Sequence, residues 1–341
     1  MEKIGTSSST RDVQGQPVAK KSRLLCKTII YDESIANQWL DEPPLEIWDH
    51  HIIPLLSLRD LALSRPVCTF FEAYWQEKFQ GNVIPLRVGN DVATINDVMG
   101  VIAKLSRRRE YTKASPFVVL LAKGNHEVTT SHEYYHYRNR KIAPTTLCVT
   151  HNNITFIGQG IGVTTILGGF GIHDVQNITL KQMTITNTSE HGSGISMYSA
   201  EIELVDVLTT RCSGVGIFAG NVAGSSSSKL VATRCEMSNN GSAGLSIAPY
   251  THINIFQNVC LKNCIIHHNS GKGIYVAGKV IINVHGNATA IHSNGKYGID
   301  ALYGAKIFLH LPSHHNTLYN NNNGYADTYT RNGGTITNVV D

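Results

Sequence analysis

From residue 146 onward, apolar and polar side chains alternate in short runs interrupted by Gly and Asn, the period-two pattern of strands and not the 3.6-residue period of helices. A Gly-hydrophobic pair recurs along this stretch at Gly194-Ile195, Gly216-Ile217, Gly244-Leu245, Gly273-Ile274, Gly298-Ile299 and Gly324-Tyr325, with intervals of 22, 28, 29, 25 and 26 residues. Three positions after the first five glycines stand Met197, Ala219, Ile247, Val276 and Ala301, so each glycine opens a short strand. Four positions before the glycine stand Glu190, Cys212, Asn240, Asn269, Asn294 and Asn320. Nine positions before it stand Ile185, Val207, Cys235, Cys264, Thr289 and His315. Strands and turn residues repeating at matching offsets predict a right-handed parallel β-helix over residues 146–341, with like residues stacked about 4.8 Å apart from coil to coil. In such a stack the Asn column serves a corner, tolerating left-handed backbone and bonding to the Asn of the next coil. The Gly column is expected to ease a bend, and Cys235 and Cys264 to be stacked core residues and not a redox pair.

The chain before residue 146 has a different texture. Thr94 can cap an amphipathic helix in which Ile95, Val98, Met99, Ile102 and Leu105 share a face, and residues 116–121 read as a buried strand. Residues 82–145 are therefore expected to form a linker and an N-terminal cap that blocks the open edge of the β-helix. Residues 41–80 are helical in pattern. Residues 1–27, rich in Ser, Thr, Gly and Lys without any period, are expected to be a disordered basic tail.

That tail accounts for the whole formal net charge of +4, through Lys3, Arg11, Lys20, Lys21, Arg23 and Lys27 against Glu2 and Asp12. The remainder is neutral and has no basic face to follow a phosphate backbone, so nucleic acid is not an expected partner. Charged residues make up 16% of the chain, against about 25% in an average globular protein, so its solubility rests on Ser, Thr, Asn and His. Seven cysteines, odd in number and without a C-x-x-C pair, indicate neither a disulfide framework nor a zinc site, and no cofactor is expected. The first 25 residues contain no apolar segment of an export signal, and no apolar run is long enough to span a bilayer. Cytoplasmic and/or nuclear localisation is the expectation, without membrane contact.

Within residues 41–80 the order is Pro44-Leu45-Glu46-Ile47-Trp48, then Ile52, then Leu55-Leu56-Ser57-Leu58-Arg59-Asp60-Leu61, then Pro66-Val67-Cys68, Phe70, Phe71 and Trp75. This segment resembles an F-box, departing from it at Pro43, where that family prefers Leu, and at Thr69, where a basic residue is common. A stretch of this length cannot bury so many large apolar side chains in a core of its own. Three short helices, broken at residues 57–60 and at Pro66, would present the surplus to a neighbour, either a binding partner or the β-helix itself. The resemblance implies that Pro44, Leu45, Ile47, Trp48, Ile52, Leu55, Leu58, Leu61, Val67, Cys68 and Phe71 bind the adaptor Skp1 and, through it, a cullin.

An F-box ahead of such repeats also resembles, over residues 41–341, the F-box proteins whose substrate module is a single-stranded β-helix of the pectin-lyase-like type. The implied protein is mainly β, with a small three-helix F-box domain in front. It would serve as the substrate-recognition subunit of an SCF-type (Skp1-cullin-F-box) ubiquitin ligase, holding a protein substrate and catalysing nothing itself. The rival expectation is a carbohydrate-binding or polysaccharide-cleaving β-helix protein.

Polysaccharide cleavage needs several carboxylates on one groove, as acid and base or as calcium ligands. Acids are sparse beyond residue 146, and no Asp-Asp or Asn-x-Asp occurs there. Glu201 and Glu203 would share one strand face with Asp206 and Arg211 nearby, Asp300 would point outward from its strand, and Asp174 stands beside His173; none is expected to be catalytic. The pairs His267-His268 and His314-His315 are read as adjacent strand positions with side chains on opposite faces, so no metal site is expected. Target binding is expected instead at residues 131–141, where Tyr134, Tyr135, Tyr137, Arg138 and Arg140 are of the types that dominate binding hot spots. Longer loops at 225–228 and 310–325 are further candidates.

Overall fold

A computed structural model describes residues 86–107, 110–136, 139–220, 228–248, 258–310, 318–321 and 327–339, with the backbone alone at 132–136 and 139–141. Residues 1–27, expected to be a basic tail, and residues 41–80, the segment that resembles an F-box, lie outside the described residues, and with them every residue named above for adaptor binding.

The described chain is a solenoid with three walls of parallel strands. Ten strands form the first wall, beginning with Leu86–Val88, Phe117–Leu121 and Ile154–Ile157 and ending with Lys306–His310 and Thr335–Asn338. The second wall is continuous with it and contains Gly124–Glu127, Thr164–Leu167, Glu236–Ser238, Ile265–His267, Ala290–His292 and Leu318–Tyr319. Two long strands, Ile178–Thr186 and Glu201–Thr210, run through both walls. A separate eight-stranded sheet, from Thr146–Val149 to Thr328–Arg331, is the third wall. Among the described residues, no helix is long and apolar enough to cross a membrane.

Strands turn from the first wall to the second through a left-handed residue in each coil. Gln182 (φ 56°), Asp206 (54°), Arg234 (52°) and Asn263 (54°) take this place in successive coils, followed by Gly286 (95°). Between these corners, period-two alternation sends every other side chain inward. Along the first wall Ile178, Ile202, Leu230, Val259, Ile282 and Ile307 stack in one column, at most 1% exposed. Each such burial contributes about 1.5–3 kcal/mol. Cys235 and Cys264 are neighbours in the inward column of the second wall, both buried and both free thiols, as the repeat alignment expects.

The five glycines from Gly194 to Gly298 open strands of the third wall in matching register. Their reason differs from the expected bend. None has a positive φ, but a Cβ on Gly244 would lie 2.6 Å from Ile266 Cγ2 and 3.0 Å from the Gly273 carbonyl oxygen. One on Gly273 would lie 2.5 Å from the Gly298 oxygen. The next coil passes too close for any side chain.

Beside these glycines runs the Asn column, buried throughout. Asn240, Asn269 and Asn294 each donate Nδ2 to the next amide oxygen at 2.9 Å, and Asn321 donates to Asp327 Oδ1 at 2.8 Å. Each Nδ2 also reaches a main-chain carbonyl, from Thr209 O through Met237 O and Ile266 O to Ile291 O. Each Oδ1 accepts as well from a backbone amide of the preceding coil.

Both ends of this column correct the sequence alignment. The last strand pairs Ile299 with Thr328, so Asp327 stands where Gly324 was aligned, and the ladder passes through Asn321 while Asn320 takes the left-handed corner (φ 54°). In the first aligned coil Asn187, not Glu190, fills the corner: it donates to Ser193 O at 3.0 Å and accepts from Thr145 Oγ1 at 2.9 Å, while Glu190 is exposed. Ile185 likewise pairs with Thr209, and Met183 is the partner of Val207.

The expected helix is present as a single 3-10 turn, Ile95–Asp97, leading into the α-helix Val98–Ser106. At its start Thr94 donates both its backbone N–H, at 3.1 Å, and its Oγ1 hydroxyl, at 2.7 Å, to Asp97 Oδ2. Ile95, Val98 and Ile102 are buried, whereas Met99 and Leu105 are half-buried. Asn96 pins the helix start to the first coil, donating to Glu127 O at 3.0 Å and accepting from Thr129 N at 2.9 Å.

Candidate functional site

The left-handed corners between the first two walls are compact in the middle of the solenoid and wider toward its ends. Residues 234–235 and 263–264 suffice to join the walls in two coils, whereas 158–163 and 286–289 are used in others. Between these wider corners lies a cleft of about 630 Å³. Its lining includes the exposed Ile161 and Ile265, the corner residues Arg234 and Asn263, Glu236, and the outward loop at Asn287. Asn263 Oδ1 accepts from Ala288 N at 3.3 Å and so braces that loop against the corner. The sequence reading assigned none of these residues to a site. The available signal was the extra corner length, marked by Gly158-Gln159-Gly160 and Gly286-Asn287.

Charged groups on the first two walls, including the cleft residues Arg234 and Glu236, have partners in neighbouring coils. Arg234 grips Asp206 with two bonds of 2.7 Å, and the guanidinium hydrogen bond holds the Asp206 carboxyl below its ordinary range. Glu201 receives Lys229 at 2.8 Å and Lys113 at 3.6 Å, and the Lys229 bond likewise lowers its carboxyl. Glu236 Oε1 accepts from Ser238 Oγ at 2.9 Å and faces His267 Nε2 at 3.0 Å. As expected, Glu201 and Glu203 share the outward face of one strand, with Glu203 exposed, whereas Asp206 (φ 54°) and Arg211 (φ 53°) stand at two successive left-handed corners of the coil.

Asp300 departs from its expected environment. It points outward between Tyr275 and Tyr329 in register, yet is only 2% exposed, with Lys272 Nζ at 2.5 Å from Oδ2 and no partner for Oδ1. The Lys272 ammonium also lies 3.9 Å from the Tyr275 ring centre. Asp174 turns away at a left-handed corner (φ 54°) and is exposed, while the His173 ring packs edge-on against Tyr198 at 4.6 Å.

The aromatic-basic stretch proposed for target binding forms an antiparallel hairpin, His132–His136 with Asn139–Ala143. Tyr134 pairs with Lys141 and Tyr135 with Arg140 in its register, whereas Tyr137 and Arg138 lie outside the described residues. Most of the 225–228 and 310–325 loops also lies outside them; Ser228 is buried and donates Oγ to Gly220 O at 2.9 Å.

Comparison with known proteins agrees with the solenoid. The family described as "Right handed beta helix region" matches residues 145–323, more than half of the chain. No curated protein sequence matches this one. Among solved structures, the Geobacillus virus E2 protein ORF18 is similar at 11% identity and a TM-score of 0.36, over 75% of this chain and 60% of that one. Two Azotobacter vinelandii mannuronan C-5 epimerase A-modules are also similar. AlgE4 is 10% identical with a TM-score of 0.28, over 74% of this chain and 92% of its own. AlgE6 is 14% identical with a TM-score of 0.26, over 74% and 85%. On the family match and the three stacked walls together, the chain belongs to the right-handed β-helix family.

Proposed function

We propose that this protein is the substrate-recognition subunit of an SCF-type ubiquitin ligase, in which the F-box of residues 41–80 docks on Skp1 and the β-helix holds a target protein. The reading is carried by the order and spacing of the F-box anchors from Pro44 to Phe71, immediately ahead of a long rigid scaffold. Two features of the β-helix support binding over catalysis. Glu201 and Asp206 are committed to cations of neighbouring coils, which keeps them ionised and makes them poor proton donors at neutral pH. The cleft meanwhile sets exposed isoleucines between an arginine and a glutamate, the mixture that suits a protein segment. In such a ligase this chain contributes proximity, by holding the target within reach of the charged conjugating enzyme.

Co-expression of the full chain with Skp1 tests the proposal. A stable complex is expected, lost in an Ile47→Asp, Leu58→Asp double variant. Failure of the wild-type chain to co-purify with Skp1 would overturn it. Within the complex, Ile161→Asp combined with Ile265→Asp should keep Skp1 and release the captured target.

A further inference from the structure

The outer face of the second wall carries a cluster of imidazoles that neither catalysis nor target binding has used. His267 closes the strand Ile265–His267, and His268 follows it at a left-handed corner with φ 52°. Alternation would send adjacent side chains to opposite faces, but the corner reverses the second one. The two rings meet edge to face with centres 4.9 Å apart, and their Nδ1 atoms are 2.6 Å from each other. The expectation that the two side chains point to opposite faces therefore fails, because His268 is not a strand residue.

Glu236 decides which nitrogen of His267 carries the proton. Its Oε1 is 3.0 Å from His267 Nε2 and is itself fixed by Ser238 Oγ at 2.9 Å. A carboxylate only accepts, so Nε2 bears the hydrogen, and in the neutral tautomer this leaves the lone pair on Nδ1, which faces His268. A carboxylate behind a histidine whose other nitrogen faces a second donor is the arrangement that orients metal-ligating imidazoles. His292 stacks on His267 at 5.0 Å, parallel within 9°, and lies 5.9 Å from His268, with its Nδ1 turned to Ser293 Oγ at 3.1 Å.

We infer that His267 and His268 form a binding site for a borderline divalent metal ion, copper(II) or zinc, held between the two Nδ1 atoms and oriented by Glu236. Imidazole donors suit these ions, and copper(II) binds such nitrogens most tightly in the divalent series. Two nitrogens at about 2.0–2.1 Å from one ion stand roughly 3 Å apart, so the pair must open by a few tenths of an ångström. The exposed His268 can supply that movement. Among the described residues no group of three His, Cys, Asp or Glu converges on one point, so the remaining coordination positions face solvent and are left to water.

The test uses the full chain, produced without a histidine tag, stripped with a chelator and titrated with copper(II). Calorimetry reads affinity, and electron paramagnetic resonance reads the nitrogens bound. The variant His268→Asn should fold normally, because Asn239 and Asn320 occupy equivalent left-handed corners. It should weaken the tightest equivalent by at least about 10-fold, with one coordinated nitrogen fewer. Glu236→Gln should keep the stoichiometry and weaken binding by about 10–100-fold. His285→Asn, in a separate stack with His310, should change neither reading. Wild-type affinity and nitrogen count in His268→Asn, or no copper(II) bound by the wild type more tightly than by that variant, would overturn the inference.

Discussion

Replacing Asn269 with alanine tests whether the Asn ladder is a stabilising element or a passive consequence of stacking. The substitution removes four hydrogen bonds: those donated to Asn269 Oδ1 by Asn240 N (3.1 Å) and Asn240 Nδ2 (2.9 Å), and those from Asn269 Nδ2 to Met237 O (3.0 Å) and Asn294 Oδ1 (2.9 Å). Asn240 is fully buried, so two N–H groups lose their acceptor where water does not reach. At about 1–3 kcal/mol for each unsatisfied donor, the cost is roughly 2–6 kcal/mol. The damage also has a direction. Asn294 N keeps its bond to Asn321 Oδ1 at 3.2 Å, whereas Asn240 N has lost its acceptor. Site-resolved hydrogen exchange should therefore show the Asn240 amide exchanging about 10²-fold faster, beyond any change shared by the whole solenoid, while the Asn294 amide follows the shared change only. Asn287→Ala, at an exposed position, serves as the control and should stay within about 0.5 kcal/mol of wild type. A cost for Asn269→Ala below about 1 kcal/mol, or equal acceleration at Asn240 and Asn294, would refute the reasoning.

Opposite effects are expected at two glycines. Gly244→Ala should destabilise by about 1–3 kcal/mol or more in denaturant titration, because its Cβ meets the next coil. Gly100→Ala, in the helix Val98–Ser106 with open space at its Cβ, should stabilise by about 0.5–1 kcal/mol. Carboxyl NMR titration should find Asp206 below the ordinary aspartate range, and Arg234→Ala should bring it back up. Since the folded value is the depressed one, the stability this pair contributes is present above the unfolded aspartate pKa of about 3.9 and disappears as pH falls through the folded value. Thiol reagents at pH 8 should leave Cys212 unmodified in the folded chain, since burial pushes it up to about 11, and Cys235 should be equally inert. Both should react once the protein is denatured.

Inward columns were the legible part of this sequence. A residue inside a coil is chosen by the residue stacked on it, so Gly194 to Gly298, Asn240 to Asn294 and the Cys235-Cys264 step could all be found by self-comparison. Register was lost where corner length changes, at Asn187 in the first aligned coil and at Asn321 and Asp327 in the last, because an inserted residue moves the corner without altering the strands. Outward residues were harder still. Asp300 is buried by tyrosines one coil away on each side, and His268 is turned by a backbone angle that no periodicity reports. The resemblance of residues 41–80 to an F-box rests on motif spacing alone, and those residues lie outside the described ones.

This division of labour explains where function can reside in such a molecule. An inward substitution disturbs two neighbouring coils at once, as at Asn269 or Gly244, so the interior tolerates little change. Outward columns and corners are released from that constraint. The corner at 286–289 is longer than that at 263–264, yet the strands Ile281–His285 and Ala290–His292 still pair in register with Asn258–Lys262 and Ile265–His267. A corner can therefore grow, and open a cleft beside it, while the adjoining strands keep their register. The same freedom lets one corner hold Arg234, which ties the coils through Asp206, and another hold His268, which meets His267. The corners are thus where a repeat built from like residues acquires unlike ones, and the cleft and the histidine pair both arise there.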